Sequence, residues 1–490
     1  MLNKYTWELY LRSGGNDVVN FFENQLSEQY SVKYADFVVG LHKAYCPMQK
    51  INDWIGANLR EVCDRLSNEE YLLSDGEYCI ESALDELYAQ ILSESDGNIK
   101  TAFGKFAYDI VIYTTLLSVE LSELFVPYYF QYNFNVLERI AKEFSIELPD
   151  IPVKSAYKER ILYYGDICAA LYDFRIANGL SPYELCAFLY DFAPQYIGGL
   201  DSYIIKDIPE PIGAYFIGSD HNDLFLADDV DEICCWQCST DTMPGDIIVM
   251  YMRSPVSRID SVWRSVSSGF SDPFFYYYRC TYIAKPKRVR PISLKELRTD
   301  PIYRELPIVR KNMQGVNGVE LVPTVYYRMV NDFGINIPKL RGGDFVSSAF
   351  FENEKDVENR LIRPLLDKLR YTSDDYVQQM VMWIGNHNAK EIPDFVVLPK
   401  VSPRHQSAYY LIEAKHSITT KSQLEDAKQQ ARSYAKQLSA RYTVIASQER
   451  LWVTSASDDY SETVLEADWA ELNDPNCFHK LFSLIGKKTN

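Results

Sequence analysis

The chain has 490 residues, 47% of them hydrophobic and 14% aromatic, and a formal net charge of −18. This length predicts two to four domains, and the apolar content excludes an intrinsically disordered protein. The negative total also excludes a chain-wide attraction to nucleic acid, so phosphate contacts would have to come from local basic surfaces.

The first residues of the chain, MLNKYTWE, lack the charged start and apolar stretch of a signal peptide. The ten cysteines show no regular spacing, which is typical of reduced thiols in the cytoplasm. The most apolar stretch, residues 110–119, is short and soon reaches Glu120 and Glu123. It predicts a buried helix, so we expect a cytoplasmic protein with no membrane partner.

Residues 1–205 have the sequence pattern of a helical domain. Apolar residues recur at helical spacing in residues 22–41, 51–66, 80–91, 101–129 and 157–178. Ser181, Pro182 and Glu184 then predict a capping box at the start of another helix. That helix has no Lys or Arg through residue 192, which favours a packing helix over a DNA-recognition helix.

The N-terminal part of the chain is also its acidic part. Residues 1–210 contain 16 Lys and Arg against 32 Asp and Glu, whereas residues 211–490 contain 34 against 36. We therefore predict an acidic helical domain at residues 1–205 that serves homo-oligomerisation, binding of a protein partner or regulation.

The pattern of residues 213–334 predicts a small β-barrel. Short strands at 214–218, 247–252, 261–264 and 274–283 alternate with turns rich in Gly and Pro. Nine Lys and Arg between residues 285 and 311 make this region locally basic, as phosphate contacts require.

Three segments of this region resemble the PUA-like superfamily, particularly its EVE branch. They are a Pro-Gly-Asp turn with the strand after it (residues 244–251), the segment 291–294 and the basic segment 310–315. The resemblance implies a domain that reads a modified base in an aromatic pocket. The candidate residues for that pocket are Ser219, Trp236, Trp263, Arg264 and Gln314. For both tryptophans the alternative is a place in the hydrophobic core.

Residues 348–490 contain three charged side chains on predicted strands. Asp394 precedes the apolar run 395–398, and Glu413 follows the apolar run 408–412. If these strands pair, Asp394 lies beside Glu413, and the alternation of side chains puts Glu413 and Lys415 on the same face. Paired carboxylates suit a hard divalent cation such as Mg²⁺, and a nearby ammonium offsets charge that develops on a phosphate.

The flanking elements complete an order of helix, three strands, helix and strand. A helix predicted at 353–370 carries Glu354 and Glu358 four residues apart, and a strand is predicted at 377–384. A helix predicted at 421–438 carries Gln430 and Tyr434, also four apart, and a further strand is predicted at 441–446.

Residues 351–456 resemble the PD-(D/E)XK nuclease superfamily. The opening helix is similar to that of the nuclease module in type I restriction subunits, and residues 430–434 are similar to the QxxxY element of some branches. The signature itself consists of Pro393-Asp394 and Glu413-Ala414-Lys415.

This resemblance assigns roles to five residues. It implies that Asp394 and Glu413 bind the metal and that Lys415 supports catalysis. It also implies an accessory role for Glu354 and a role for Gln430 in positioning substrate or water.

The sequence thus predicts a multidomain α+β protein with a helical domain at 1–205, a PUA-like β-barrel at 213–334 and an α/β nuclease domain at 348–490. The expected function is that of a Mg²⁺-dependent DNA endonuclease of restriction or antiphage type, with Mn²⁺ as the alternative metal. Two other readings stay open: a non-catalytic binding protein that retains the nuclease fold, and a nuclease that acts on RNA.

Overall fold

The computed structural model describes residues 2–25, 80–198, 205, 207–231, 233–345, 351–383, 390–402 and 405–487. Residues 26–79, where two of the predicted helices fall, lie outside the described residues. The protein combines helices and sheets, which confirms the expected α+β class. It divides into two compact units, the first of Met1–Pro209, Tyr215–Val319 and Thr489–Asn490, the second of Glu210–Ala214 and Glu320–Lys488.

The N-terminal part of the first unit is helical, and two predicted features are confirmed within it. The capping box at Ser181 is present, and Leu185, Phe188 and Tyr190 are buried after it, as a packing helix requires. The described helices are α1 (Lys4–Tyr10), α2 (Asn16–Asn20), α3 (Ile80–Ser93), α4 (Ile99–Glu120), α5 (Phe134–Phe144), α6 (Tyr157–Asn178), α7 (Pro182–Ala187) and α8 (Ala193–Tyr196), with π-helical turns at Leu11–Gly15, Phe21–Gln25 and Phe188–Phe192.

Helix α4 is shorter than the predicted helix 101–129. It ends at Glu120 because Leu121 leaves helical geometry, with φ −129° and ψ 56°. Among the described residues no single helix is long and apolar enough to cross a membrane. One bent pair, Ile99–Val111 with Tyr113–Val119, passes that test by length and composition alone.

A seven-stranded sheet forms the rest of the first unit's framework, and it is a half-barrel. Its strands are β1 (Ala214–Ser219), β2 (Ile233–Gln237), β3 (Ile247–Met252), β4 (Arg258–Ser265), β5 (Phe270–Ser271), β6 (Arg279–Ser293) and β7 (Val319–Glu320), in the order β2-β6-β4-β3-β1-β7 with β5 on β6. Strand β6 starts later than predicted, since residues 272–278 form a loop, which we call the aromatic loop. Short helices follow at Leu294–Thr299 (α9) and Pro307–Arg310 (α10).

The helical segment and the sheet share one hydrophobic core. Phe274, Cys280 and Tyr282 from the sheet side belong to the same buried cluster as residues of α4, α5 and α6. The hydroxyl of Tyr282 donates to the carbonyl oxygen of Tyr132 at 2.9 Å, just before α5. The predicted boundary between residues 205 and 213 therefore separates two parts of one compact unit.

The second unit is built on a six-stranded sheet in the order β17-β16-β15-β14-β11-β8. These strands are β8 (Tyr376–Gln378), β11 (Phe395–Val397), β14 (Tyr410–Ala414), β15 (Tyr442–Ala446), β16 (Arg450–Ser455) and β17 (Thr463–Asp468), with two small hairpins from β9 (Met382–Trp383), β10 (Lys390–Glu391), β12 (Lys400–Ser402) and β13 (His405–Ser407). Its helices are α11 (Pro323–Phe333), α12 (Glu354–Val357), α13 (Arg363–Lys368), α14 (Lys421–Gln437) and α15 (Pro475–Ile485).

The predicted element order of this unit is confirmed. A helical segment runs from α12 through a π-helical turn at Glu358–Ile362 into α13, and β8, β11 and β14 follow as an antiparallel group. Helix α14 then connects β14 to β15, which pair in parallel, as a crossover helix requires. Strand β17 was not predicted, and helix α15 follows it at the end of the unit.

Each face of this sheet packs against different helices. Ile412 and Ala414 of β14 lie in a core with Leu365 of α13, whereas Leu411 lies in a second core with Ala431 of α14. This alternation confirms that Ala414 faces away from the side shared by Leu411 and Glu413.

Candidate functional site

The pairing of β11 with β14 brings Asp394 next to Glu413. Phe395 pairs with Ile412, so the antiparallel register places Asp394 and Glu413 one step beyond the last paired residues. The carboxylate of Asp394 accepts a hydrogen bond from the backbone N–H of Ala414 at 2.7 Å through Oδ2. The strand ends therefore hold the two acids side by side, as the sequence predicted.

Glu413 is a buried acid in which one carboxylate oxygen accepts a hydrogen bond and the other does not within the described part of the chain. Its side chain is 3% exposed, and Oε1 accepts from Lys415 Nζ at 2.7 Å. The other oxygen, Oε2, is buried and has no hydrogen-bond partner among the described residues. Burial and then the charge of Asp394 raise the pKa of Glu413 to about 7, against the opposing effect of Lys415.

Asp394 also lies close to two carboxylates of the helical segment, Glu354 and Glu358, at the same end of the sheet. Glu354, Glu358 and Asp394 each offer an oxygen that lies within 4.8 Å of the other two, so this acidic triad can hold a metal ion. Glu354 begins α12, and Glu358 follows one turn later in the π-helical segment. Gln378 of β8 donates from Nε2 to Glu358 Oε2, and Arg363 donates to Gln378 Oε1.

Burial and mutual repulsion raise the pKa values of the carboxylates in this group. Burial raises the pKa of Asp394, while the Ala414 N–H and the charge of Lys415 oppose that rise. Burial also raises the pKa of Glu354 and of Glu358, and in each case the charge of Asp394 adds to the rise.

The one lysine in the group is correspondingly held in its charged form. Partial burial acts to lower the pKa of Lys415, but its hydrogen bond to Glu413 and the charges of Glu354 and Asp394 raise it overall. Four crowded carboxylates against one ammonium are the donor set that a hard divalent cation favours. Glu413 is not one of the three residues whose oxygens lie within 4.8 Å of one another, but its buried Oε2 has no competing hydrogen bond among the described residues. The triad of Glu354, Glu358 and Asp394 fits such an ion.

Gln430 has a different contact from the one expected of it. Its Nε2 donates to the hydroxyl of Tyr434 at 2.9 Å, one turn along α14. Gln430 and Tyr434 thus bond to each other in this structure, and a role for Gln430 at the metal group stays a prediction.

Glu358 and Gln378 are functional candidates that the sequence analysis did not select. Glu358 had a visible signal, since it lies four residues after Glu354 and so on the same helical face. Gln378 had none, because its place beside Glu358 depends on the pairing of β8 with β11.

Two of the five predicted base-binding residues line a cavity of about 280 Å³ in the first unit. Ser219, at the end of β1, donates to Asp223 at 2.8 Å. The Trp236 indole, on β2, donates to the carbonyl oxygen of Gly218 at 3.0 Å. The residues that line this cavity are Tyr132, Gly218, Ser219, Asp220, Asp223, Cys235, Trp236, Gln237, Arg253, Phe275 and Tyr277.

The structure places the other three predicted residues outside this lining. Trp263 is fully buried in the core on β4 and donates to Ser261 Oγ at 3.0 Å, so its ring has no face left for a ligand. Arg264 holds the backbone through its bond to the Gly245 carbonyl oxygen at 2.9 Å. Gln314 is exposed after α10.

The basic stretch of residues 285–311 is partly neutralised. Arg288 pairs with Asp228 and Asp260, Arg290 with Glu296, Arg310 with Glu305, and Lys285 with Asp231. Other cations of the stretch form no ion pair among the described residues and remain candidates for phosphate contacts: Lys287, Lys295, Arg298 and Lys311.

The comparisons with known proteins give no further identification. No family model matches the chain, and neither a curated protein nor a solved structure matches it.

Proposed function

We propose that the protein is a Mg²⁺-dependent phosphodiesterase, with DNA as its substrate, and that the carboxylate group of the second unit is its active site. One observation carries the proposal: the buried, unpartnered Oε2 of Glu413 lies with Lys415 beside a triad of crowded carboxylates. The resemblance of residues 351–456 to PD-(D/E)XK nucleases supports the same chemistry.

The carboxylates would hold the ion, and the lysine would act next to it. Asp394, Glu354 and Glu358 are the first candidates for ligands, and the sequence resemblance adds Glu413, whose Oε2 has no hydrogen bond among the described residues. When bound, a divalent cation polarises a phosphoryl oxygen and eases deprotonation of water.

Lys415 contributes through its ammonium protons. It uses one N–H for Glu413 Oε1, and the remaining donors can orient an attacking water or offset charge on the phosphate. Its raised pKa keeps it protonated at neutral pH, so its role is that of a donor and a charge.

The cavity of the first unit is the proposed place where the substrate is selected. Its aromatic lining suits an unstacked base, which supports a role for the first unit in reading nucleic acid. A restriction or antiphage role follows from this combination of a base-reading region and a nuclease, and it rests on the sequence resemblances.

The central experiment is cleavage of supercoiled plasmid with Mg²⁺, with Mn²⁺ and with EDTA. Asp394→Asn should cut at least about 10²-fold more slowly than the wild type, since it removes a charge at the reacting centre. Asp426→Asn, in the exposed first half of α14, is the matched control and should cut like the wild type.

The outcomes separate the competing functions. Equal cutting by wild type and Asp394→Asn would overturn the proposed active site. An absence of cutting under every metal condition, together with tight DNA binding, would favour a binding protein that retains the nuclease fold. Preferential cutting of a single-stranded RNA of the same sequence would move the substrate from DNA to RNA.

A further inference from the structure

The cavity of the first unit has walls from two distant parts of the chain. Trp236 and Arg253 come from the sheet region, whereas Tyr132 lies between α4 and α5 in the helical segment. Phe275 and Tyr277 of the aromatic loop complete the ring-bearing side. The acidic helical segment therefore contributes directly to this cavity.

The aromatic loop is held from within by a buried acid. Asp272 is fully buried, and its Oδ1 accepts from the backbone N–H groups of Phe274 at 2.9 Å and Phe275 at 3.1 Å. The Asp272 N–H donates to the carbonyl oxygen of Tyr278 at 2.8 Å, which closes the loop on itself. The conformation that presents Phe275 and Tyr277 is thus fixed by hydrogen bonds.

The same loop is held from outside by a buried arginine of helix α6. Arg160 is fully buried; its Nε donates to the Pro273 carbonyl oxygen and its Nη2 to that of Phe275, each at 2.7 Å. Its guanidinium lies 3.9 Å from the ring centre of Phe103 on α4. Removing the guanidinium would leave these two loop carbonyl oxygens without their hydrogen-bond donor, and such a loss is costly.

Tyr132 is fixed against the loop by its own contacts. Its backbone has φ +63°, an unusual conformation for a residue with a side chain, and the Tyr282 hydroxyl holds its carbonyl oxygen at 2.9 Å. The rings of Tyr132 and Phe275 meet edge to face, with centres 5.7 Å apart and planes at 78°. The two rings are therefore pre-arranged before any ligand binds.

The polar groups of the cavity define the chemistry of its ligand. Arg253 lines the cavity, and its guanidinium has no hydrogen bond or ion pair among the described residues. Asp223 accepts from the Ser219 hydroxyl and from the Asp220 N–H, so its carboxylate is occupied, whereas the Arg253 guanidinium is an available donor. Aromatic faces with one free guanidinium suit a planar ring that carries an acceptor atom.

We propose that the helical segment is part of the recognition element: Tyr132 forms a wall for an unstacked nucleobase, and Arg160 is the positioning residue that holds Phe275 and Tyr277 in place. This inference rests on the proposed function, because the nucleobase is the planar ring that a nucleic-acid substrate supplies. It assigns a ligand-binding role to the acidic segment.

The test is equilibrium binding of the full chain to fluorescent short DNA duplexes in EDTA, where cleavage does not interfere. The duplexes are unmodified or carry methylated or hydroxymethylated bases. Arg160→Met and Tyr132→Ala should each weaken binding of the preferred duplex about tenfold and reduce its preference over the unmodified one. Tyr132→Phe, which keeps the ring, should bind like the wild type.

Arg175→Met is the matched control for a structural effect. Arg175 is also a buried arginine of α6, but it bonds to Glu123 and not to the aromatic loop. It should lose thermal stability comparably while keeping affinity and preference. Equal losses of preference in Arg160→Met and Arg175→Met, or unchanged binding in Arg160→Met and Tyr132→Ala, would overturn the inference.

Asp394→Asn distinguishes this inference from the proposed active site. It should bind the preferred duplex in EDTA with wild-type affinity, although with Mg²⁺ it cuts at least about 10²-fold more slowly. A wild type that cuts with Mg²⁺ but shows no preference among the duplexes would overturn the inference and leave the nuclease proposal standing.

Discussion

The carboxylate group and the cavity are assembled in opposite ways. The carboxylates come from one helix and two neighbouring strands, within residues 354–415, and they repel one another until a cation joins them. The cavity draws on residues from 132 to 277, and its rings are fixed by packing and hydrogen bonds. One site depends on an added charge, and the other is pre-organised by the fold. Changes at the two sites should therefore have different signatures.

The largest effect is expected for Lys415→Met. The change removes the donor and charge beside the phosphate, so kcat for plasmid cleavage should fall about 10²–10³-fold while duplex binding in EDTA stays unchanged. Lys428→Met is the control, since Lys428 is a similarly shielded lysine, paired with Glu425 on α14. A Lys415→Met enzyme that cuts at the wild-type rate would contradict the assigned role.

Glu358→Gln should have the next largest effect. Loss of this carboxylate removes one member of the acidic triad and disturbs Gln378, so Mg²⁺ affinity should fall about 10–100-fold. The measurement is the Mg²⁺ concentration for half-maximal cleavage, together with the Mg²⁺-induced rise in Tm. Glu425→Gln, at an exposed position of α14, should leave both unchanged. If Glu358→Gln also leaves them unchanged, Glu358 takes no part in metal binding.

Trp236→Ala should weaken DNA binding at the cavity without slowing cleavage at the carboxylate group. Removing this cavity ring should raise the Kd for the preferred duplex about tenfold in EDTA. At saturating DNA and Mg²⁺ the kcat should stay within about twofold of the wild type, because binding and not the chemistry is affected. Tyr5→Ala, at an exposed aromatic residue outside the cavity, is the control. A matching loss of kcat would show that the two sites are not separable in this way.

The smallest expected effect is the pH dependence of the free energy of unfolding, and it comes from Asp272, which holds the aromatic loop of the cavity. Burial raises the pKa of Asp272 to about 7, and burial together with the charge of Asp272 raises that of Glu138 to about 7. Groups with raised pKa values stabilise the fold at low pH. The free energy of unfolding should therefore fall as pH rises from about 4 to 7, by at most about 1.4 kcal/mol per pH unit for each group.

Denaturant unfolding of Asp272→Asn at pH 5 and pH 7.5 checks this expectation. The difference between the two pH values should shrink by at least half, because the variant loses the titration of Asp272 and also the charge that helps to raise the pKa of Glu138. A variant with the full wild-type difference would show that Asp272 is not the titrating group. The carboxylates of the second unit titrate in EDTA in both proteins and cancel in the comparison.

The metal group was largely predictable because its residues are local. Two apolar runs predict strands, and the pairing of Phe395 with Ile412 follows from the alternation in both. The spacing of Glu354 and Glu358 indicated a shared helical face, but it did not show that Gln378 of β8 donates a hydrogen bond to Glu358. Tertiary contacts of this kind leave no periodic signal.

The cavity was predictable only in part, for the opposite reason. Trp236 and Trp263 give the same signal in sequence, yet one lines the cavity and the other is fully buried at the centre of the sheet. Tyr132, Arg160 and Phe275 come together through packing over more than a hundred residues of chain. No local pattern encodes such a meeting, so the helical segment gave no sign of its contribution.

The second unit is discontinuous, and this affects how it can be obtained as a separate fragment. The rings of Phe345 and Trp469 meet edge to face, with centres 5.0 Å apart and planes at 62°. Asn473 Nδ2 donates to the carbonyl oxygen of Phe345 at 2.8 Å. Ile212 is buried in the same core. A protein truncated at the predicted boundary, residue 348, would lack Phe345 and Ile212, and the apolar core residues that they cover would be exposed to water. A fragment that contains the second unit should therefore begin no later than Glu320, with residues 210–214 supplied in trans.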